Sequence, residues 1–490
     1  MVYHGVHMKT QKTGKYGGPP LEFKVLNDPG PVSIRKILGP GLILAALGVG
    51  MGETFMWPRL VLVFGPNIRW IATCGLIIQV FVTMEIARWT YYTGESIFQA
   101  GGRINVSIMW YFYIMALLLY IFPGHVVTGA GALGLYLKID WVPIAVASIL
   151  AIAAILILSP YQVYKTVKTL LVIAISIMIA VSLIVALGVG TPKMWADTLV
   201  GTVAFGWQDP RFYTKTWMPL IIGGMAFMGP SGMQQMWYTL WAREEDAGMG
   251  AYMPKITGLI FGKEATWLEK GYIFNADLDK EMDKWKRWRK LNIYDAWISL
   301  GLLTFITTVF FTVLSIYAAE ASPAAMKAIL AGSTLPAISA IAAAFSAVSP
   351  VLYPLWFIVM FIVGWKMSFG IFDAFARGQA DMTFQLFKGA RKLGMRKWYY
   401  IWVAIVTLVG ITMVLIGQAK GPVFLLDLLA FLSPWAMGSY CLLLLYVNNV
   451  MVPGKLKMSW VSTLILAFGA VFYLVSLFYS IFVFGAIPGG

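Results

Sequence analysis

Charged side chains are scarce in this sequence: they make up 12% of its 490 residues, whereas 59% of the residues are hydrophobic. An ordinary soluble protein has about 25% charged residues, so this composition excludes a water-soluble globular protein. Cysteine is nearly absent, and both examples, Cys74 and Cys441, lie in apolar runs, which excludes a disulfide framework and a CxxC metal site. The chain also lacks an HExxH motif and a phosphate-binding GxxxxGK[ST] loop. We therefore expect neither an enzyme nor an ATP-driven pump, and no resident cofactor.

Long apolar runs are what the sequence has instead. A helix needs about 20 apolar residues to cross a hydrocarbon core about 30 Å thick, and about eleven such runs are present. The predicted spans are residues 38–64, 67–87, 107–136, 141–158, 167–189, 218–241, 296–319, 351–375, 398–417, 423–447 and 459–485. The chain is therefore expected to be an all-α polytopic membrane protein.

The basic residues predict its orientation. With the N-terminus in the cytoplasm, 28 of the 37 Lys and Arg residues lie in cytoplasmic segments and 7 in external ones. The positive-inside rule then places the N-terminus in the cytoplasm and, with an odd number of spans, the C-terminus outside. We expect an integral protein of the plasma membrane of a prokaryote.

The spans divide the chain into predicted units. These are a cytoplasmic N-terminal tail (1–37), a first five-helix repeat (38–189), an extracellular loop (190–217), a second five-helix repeat (218–450) that includes a cytoplasmic loop (242–295), and a linker with the eleventh helix (451–490). The cytoplasmic loop contains DKEMDKWKRWRK, in which Trp285 and Trp288 lie among basic residues. This pattern favours a helix on the inner membrane face in contact with anionic lipid. A regulatory or partner-docking role is the alternative.

Two of the predicted spans are interrupted. Span 1 contains GVGMGE and span 6 contains MGPSGM, and Gly and Pro both disfavour a continuous helix. Unwound backbone is tolerated in a membrane only where it is buried in protein or lines a cavity. Either break alone fits a kink or a close packing contact equally well. As a pair, five spans apart and in opposite orientation, they predict a 5+5 inverted repeat with a substrate site between the broken helices 1 and 6.

Several stretches resemble one family of transporters. GPGLILAALGVGMGE, EIARWTYYTGESIFQ, GGMAFMGPSGMQQMWYTL and FDAFARGQADMTFQLF are similar, in this order, to segments of the natural resistance-associated macrophage protein (Nramp) transporters. The resemblance implies a LeuT-like fold and proton-linked uptake of divalent transition metals. It also implies that the carbonyl of Ala226 is a metal ligand.

The departures from that family fall on the breaks. The family's Asp-Pro-Gly-Asn falls on Gly50 to Glu53, and its Met-Pro-His falls on Gly229 to Ser231. The usual Asp, Met and His are therefore replaced, and Glu53 becomes the acidic candidate. Without the soft thioether, the remaining carboxylate, carbonyl and hydroxyl groups suit Mg or Mn better than softer metals.

Four further polar positions in the spans are candidates for function. Glu53 is a candidate cation ligand or proton carrier, although it is also a candidate partner for Arg59. His125 is the only histidine outside the tail, and it fits a proton relay or a packing hydrogen bond equally well. Asp427 is near a polar ligand position of the family and is either a metal ligand or a bond to a neighbouring helix. Of Gln234 and its neighbour Gln235, we expect one to face the site.

Lys366 is the cation in the middle of a span, and the sequence leaves three roles open for it. It repels cations and favours an anionic substrate, it neutralises Glu53 or Asp427 as a counter-charge, or it snorkels to the interface without a transport role. Glu85 and Arg88, three residues apart, predict an intrahelical ion pair or a gate.

The first functional hypothesis is a secondary active transporter that moves a divalent cation, Mg or Mn, by alternating access. Its site would comprise Gly50, Glu53, Ala226, Gly229, Ser231, Gln234 and Asp427, with Glu53, Ala226 and Asp427 on the metal and with Glu53, His125 and Lys366 as coupling groups. The alternatives are a carrier of a small organic or anionic solute with the same fold, and a receptor or scaffold that does not transport.

Overall fold

Helices make up nearly all of the structure, a computed structural model that describes residues 10–13, 21–30, 34–159, 163–259, 268–485 and 488. Of the predicted tail, residues 1–9, 14–20 and 31–33 lie outside the described residues. The α-helices are Ile34–Gly48, Trp57–Phe64, Arg69–Thr93, Ile97–Ile104, Val106–Tyr120, Gly124–Leu137, Trp141–Leu158, Val163–Val189, Pro192–Thr202, Met218–Ala226, Tyr238–Glu244, Asp279–Tyr294, Leu303–Ala321, Pro323–Leu330, Pro336–Val348, Leu352–Leu386, Met395–Gly417, Phe424–Tyr446 and Trp460–Phe478. Four π-helical segments, Gly52–Met56, Asp295–Leu302, Val447–Met451 and Tyr479–Val483, adjoin them.

The membrane spans agree with the prediction in number and order. Within the described ranges, ten helical segments are long and apolar enough to cross a membrane. The broken pair Met218–Ala226 and Tyr238–Glu244 supplies the sixth span and brings the number to eleven. Helix-capping residues set some of the span boundaries. At the start of span 4, for example, the Asp140 carboxylate accepts a hydrogen bond of 3.1 Å from the Val142 amide.

Several spans are longer than predicted, and spans 7 and 8 differ most. Span 7 does not begin near residue 296, because the amphipathic helix that starts at Asp279 runs into it and continues to Ala321. Span 8 continues from residue 375 to Leu386. Span 3 is interrupted between Val106–Tyr120 and Gly124–Leu137, next to Pro123. The second half of span 3, in the predicted first repeat, packs along span 8 of the second, so the two predicted repeats contact each other. Within the second repeat, Met218–Ala226 packs on span 10, Phe424–Tyr446.

The tail and the loop between spans 6 and 7 form a small cap. Strand Leu21–Val25 pairs antiparallel with Thr10–Thr13 and parallel with Tyr272–Ile273. Phe23 is buried against Trp89, with ring centroids 6.3 Å apart. The tail is thus attached to the loop by backbone hydrogen bonds and to span 2 by an aromatic contact.

Trp285 and Trp288 belong to this cap. Their side chains are only 4% and 2% exposed. Trp285 packs on Phe274 with centroids 5.6 Å apart, and Trp288 Nε1 donates a hydrogen bond of 3.0 Å to Asp28 Oδ1. The prediction that these two rings contact anionic lipid is therefore wrong, because the loop packs on Trp285 while the tail and Tyr91 of span 2 pack on Trp288.

Asp28 connects the tail to the helix Asp279–Tyr294. Its amide donates to Glu281 Oε2 at 2.6 Å, while its backbone carbonyl accepts from Lys284 Nζ. Burial raises the pKa of the Asp28 carboxyl above its ordinary value. The docked tail therefore holds a proton more tightly than a free tail would, and docking weakens as the pH rises through the elevated pKa.

Replacing Trp288 by Ala should release the tail. The change removes both the bond to Asp28 and the buried ring, a loss of about 3–5 kcal/mol for a buried tryptophan. Limited proteolysis should cut within residues 21–30 several-fold faster than in the unchanged protein. Lys286→Ala, at an exposed position on the same helix, is the control, and equal cleavage of both variants would contradict this account of the cap.

Candidate substrate site

The break in span 1 begins where helix Ile34–Gly48 ends. Val49 and Gly50 bend away from helical geometry, and a π-helical turn at Gly52–Met56 leads into Trp57–Phe64. Gly52 allows a close approach between the two breaks, because a Cβ atom there would lie 2.1 Å from the Phe227 carbonyl oxygen. The glycine that interrupts span 1 is also the one that lets span 6 approach it.

The break in span 6 follows Ala226. Residues 227–233 are not α-helical, and a 3-10 turn at Gln234–Trp237 leads into Tyr238–Glu244. Gly229 has φ +107°, a backbone conformation that residues with a side chain rarely adopt. Gly229 and Pro230 together therefore account for the loss of helix that the sequence predicts here.

Glu53 joins the two breaks. Its side chain is fully buried, and its two oxygens accept hydrogen bonds from different segments: Oε2 from the Gly50 amide at 2.7 Å and Oε1 from the Gly229 amide at 2.8 Å. Both amides were freed by the loss of helix. The structure thus brings together three of the predicted site residues, Gly50, Glu53 and Gly229, and it gives Glu53 no contact with Arg59.

Lys366 lies at the opposite pole of the span 1 break. Its Nζ donates to the Val49 carbonyl at 2.5 Å and to the Ala46 carbonyl, and the side chain is buried. The lysine therefore does not snorkel to an interface. Its polar contacts are backbone carbonyls, whereas the carboxylates of Asp373 and Asp427 pair with Arg377 and Arg59.

Polar side chains from neighbouring spans hold the span 6 break. Gln79 Nε2 donates to the Ala226 carbonyl at 3.1 Å. The Tyr120 hydroxyl donates to the Ser231 carbonyl and accepts from the Met233 amide, each at 2.9 Å. Side chains from spans 2 and 3 thus bond several polar groups of this buried, unwound backbone, as burial requires.

The two glutamines after the break have different surroundings. Gln235 is a packing residue: it donates to the Gln79 carbonyl at 2.6 Å and accepts from the Tyr440 hydroxyl at 2.6 Å. Gln234 donates weakly to Ser231 Oγ at 3.3 Å, and its Oε1 has no hydrogen-bond partner among the described residues. Gln234 is therefore the glutamine whose side-chain oxygen is available to accept a further bond.

His125 is buried next to the same break. Its ring stacks on Phe227 with centroids 5.7 Å apart and an interplanar angle of 28°. In the part of the chain that the structure describes, neither ring nitrogen has a hydrogen-bond partner. In this conformation His125 therefore packs through its ring and not through a hydrogen bond to a neighbouring helix.

Asp427 lies away from the breaks. Both carboxylate oxygens accept from Arg59 Nη1, at 3.0 and 3.1 Å. The pair lines a separate cavity of about 340 Å³, which also carries Lys215 and Lys420. Three cations and one carboxylate make this Arg59 cavity electropositive.

Met367 is a site residue that the sequence did not single out. Its sulfur accepts a hydrogen bond of 3.2 Å from the Met51 amide, and a Cβ atom at Gly50 would lie 1.6 Å from it. Span 8 thus brings a thioether to the break in span 1. One methionine among 26 carries no signal of its own, and only the position of Lys366 next to it marks the segment.

Acidic and basic side chains close the face of the bundle below the breaks. The predicted Glu85 and Arg88 pair is confirmed, with Arg88 Nε 2.5 Å from Glu85 Oε2, and Arg289 joins it at 3.2 Å. Arg243 and Asp381 form a second buried pair at 3.0 Å. Glu53 likewise has no exposed surface in this conformation.

The described residues contain no cluster of three or more His, Cys, Asp and Glu side chains that would hold a metal ion. Oxygen atoms near Glu53 come instead from backbone carbonyls, amides and hydroxyls. An ion bound here would keep part of its hydration shell.

Similarity to known proteins is found at the level of structure. No protein-family model matches the sequence, and no curated protein sequence matches it. The chain superposes on the manganese transporter of Eremococcus coleocola in complex with an aromatic bis-isothiourea substituted compound with a TM-score of 0.66 at 13% identity, covering 93% of this chain and 89% of that one. Two mutant forms of that transporter give a TM-score of 0.62 at 14% identity, covering 93% and 91%.

These likenesses establish the fold class. The protein is an all-α polytopic membrane protein with the LeuT-like fold and with broken helices 1 and 6. Since the Eremococcus coleocola transporter is an Nramp homologue, the predicted resemblance to Nramp transporters is confirmed as a remote likeness in fold.

Replacing Gly52 by Ala should separate the two breaks. The added methyl would clash with backbone rather than with a flexible side chain, and overpacking of this kind costs about 1–3 kcal/mol. Thermal unfolding of the purified protein should occur several degrees lower. Gly454→Ala, where an added Cβ meets nothing within 4 Å, is the control; equal stability of the two variants would refute the close contact.

Proposed function

We propose that the protein is a secondary active transporter that works by alternating access, with its substrate site at Glu53. The observation that carries this proposal is the carboxylate of Glu53 bonded to one amide from each broken helix. In carriers of this architecture, discontinuous helices place the substrate near the bilayer midplane between two repeats. The bond to Gly229 joins two different spans, so it is made and broken as those spans move, whereas the bond to Gly50 lies within span 1.

The substrate we propose is a divalent cation, Mg or Mn. Support comes from the buried carboxylate of Glu53 and from the likeness in fold to a protein named as a manganese transporter. The Ala226 carbonyl, which accepts from Gln79 Nε2 in this conformation, is the further ligand that the resemblance to Nramp transporters implies. The ion would replace the two amides as the partner of Glu53. Ser231 and Gln234 supply further oxygen atoms, and hydration water supplies the rest.

Asp427 then takes a different role from the one its sequence position suggests. Because it is paired with Arg59 in this conformation, we place it at the approach to the site rather than on the bound ion. His125, buried beside Phe227 and with no hydrogen-bond partner on either ring nitrogen among the described residues, is the proposed proton-carrying group.

The proposed orientation keeps the N-terminus in the cytoplasm and the C-terminus outside, in the plasma membrane of a prokaryote. The distribution of 28 basic residues against 7 supports it. In this orientation the cap of tail and loop lies on the cytoplasmic face, and the Arg59 cavity opens toward the exterior.

Flux into proteoliposomes tests the substrate and the site together. Mg, Mn and Ca should be tried separately under an imposed pH gradient, and Mg or Mn uptake should saturate. Glu53→Gln keeps the size of the side chain but removes its charge, so uptake should fall at least tenfold. A carboxylate introduced nearby by Gln235→Glu should not restore uptake to this variant, because Gln235 is bonded to three neighbours and does not face the site. Uptake by Glu53→Gln equal to that of the wild type would contradict the assignment of the site.

The charge of the Arg59 cavity favours a second candidate, a carrier of a small organic or anionic solute. Arg59, Lys215 and Lys420 outnumber Asp427 there, and a cavity of one sign concentrates ligands of the opposite sign. A cation would be repelled at this approach.

The two candidates differ in their response to this cavity. If the substrate is an anion, Lys215→Gln with Lys420→Gln should raise the KM for uptake several-fold, and more at low ionic strength. If the substrate is Mg or Mn, the same double variant should lower the KM. Lys193→Gln and Lys327→Gln, exposed lysines outside the cavity, form the matched control.

A further inference from the structure

The first half of span 1 ends in a negative pole. Helix Ile34–Gly48 leaves its last carbonyl groups without partners inside the helix, and these groups carry partial negative charge. At a membrane midplane such carbonyls need a donor or a cation, because water is scarce there. In transporters with broken helices, carbonyls of this kind coordinate a coupling cation.

In this protein the side chain of Lys366 lies where a coupling cation would contact these carbonyls. The ammonium of Lys366 donates to the carbonyl oxygens of Ala46 and Val49, three residues apart on one side of the helix end. An ammonium group is a compact point charge with three donors. Without the ammonium, two buried carbonyl oxygens would face the same position, and oxygen atoms are the ligands that hard cations prefer.

The nearby carboxylates form no hydrogen bond with this ammonium among the described residues, although the charges of Glu53 and Lys366 attract each other. Glu53 is occupied by two amides, Asp373 by Arg377, and Asp427 by Arg59. The two poles of the broken helix are therefore each satisfied by a charge of the chain itself, the amide pole by Glu53 and the carbonyl pole by Lys366.

We propose that Lys366 occupies a monovalent-cation site formed by the Ala46 and Val49 carbonyls, so that the protein carries a fixed internal cation where a coupling ion would otherwise bind. The comparison with a coupling ion rests on the proposed transport function, whereas the experiment below does not require transport. The wild-type protein is then independent of Na⁺, and removal of the lysine side chain opens the site to Na⁺ or Li⁺.

Ion-dependent thermal stability of the purified protein tests the proposal without any transport. Unfolding is followed in choline, K⁺, Na⁺ and Li⁺ chloride at equal ionic strength. The wild type should unfold at the same temperature in all four. Lys366→Ala should unfold several degrees lower in choline and should recover with Na⁺ or Li⁺ in a saturable manner, since the ion replaces the ammonium on the two carbonyls.

A matched variant separates charge from volume. Lys366→Met fills most of the same space with an uncharged chain, so it should stay destabilised in every salt. Lys327→Ala, an exposed lysine outside the site, should behave as the wild type does.

Three results would overturn the proposal: a wild type that is itself stabilised by Na⁺, a folded Lys366→Ala that responds to none of the cations, or a Lys366→Met that recovers with Na⁺ as fully as Lys366→Ala. If Lys366→Ala does not fold, the wild-type measurement still decides, together with wild-type flux, which should be equal in Na⁺ and choline. Recovery of Lys366→Ala by Na⁺ without any Mg or Mn flux would leave this inference standing and remove the proposed substrate.

Discussion

The hydrogen bonds of Glu53 are the interaction on which the centre of the molecule depends. Two helices are broken at the same depth, and each unpaired buried backbone group costs about 1–3 kcal/mol. One carboxylate accepts from an amide of each break, and one ammonium, that of Lys366, donates to two carbonyls of the first break. Two charged side chains of opposite sign therefore allow the irregular backbone to exist without any bound ligand.

Much of the fold could be predicted from sequence because apolar runs and Gly or Pro interruptions are local signals. The spans and both breaks follow from them. The contacts of long side chains could not be predicted in this way. Lys366 and Val49 are 317 positions apart in the sequence and Arg59 and Asp427 are 368 apart, so these contacts depend on how the spans pack. The burial of Trp288 could not be predicted for the same reason, since its hydrogen-bond partner Asp28 belongs to the tail.

The charges divide the molecule into two regions with different preferences. At the breaks, Glu53 offers a carboxylate whose present partners are neutral amides, which a cation can displace. At the Arg59 cavity, the excess of basic groups favours anions. A cation that reaches Glu53 must therefore pass, or avoid, an unfavourable potential, and substrate selection is divided between the approach and the site.

The strand pairing of the tail has a mechanical consequence. Leu21–Val25 precedes the first helix of one repeat, and its parallel partner Tyr272–Ile273 belongs to the loop between spans 6 and 7 of the other. The sheet thus links the segment before span 1 to the loop between spans 6 and 7. A motion that separates these two segments has to break the strand pairing first, so the sheet limits how far they can move apart.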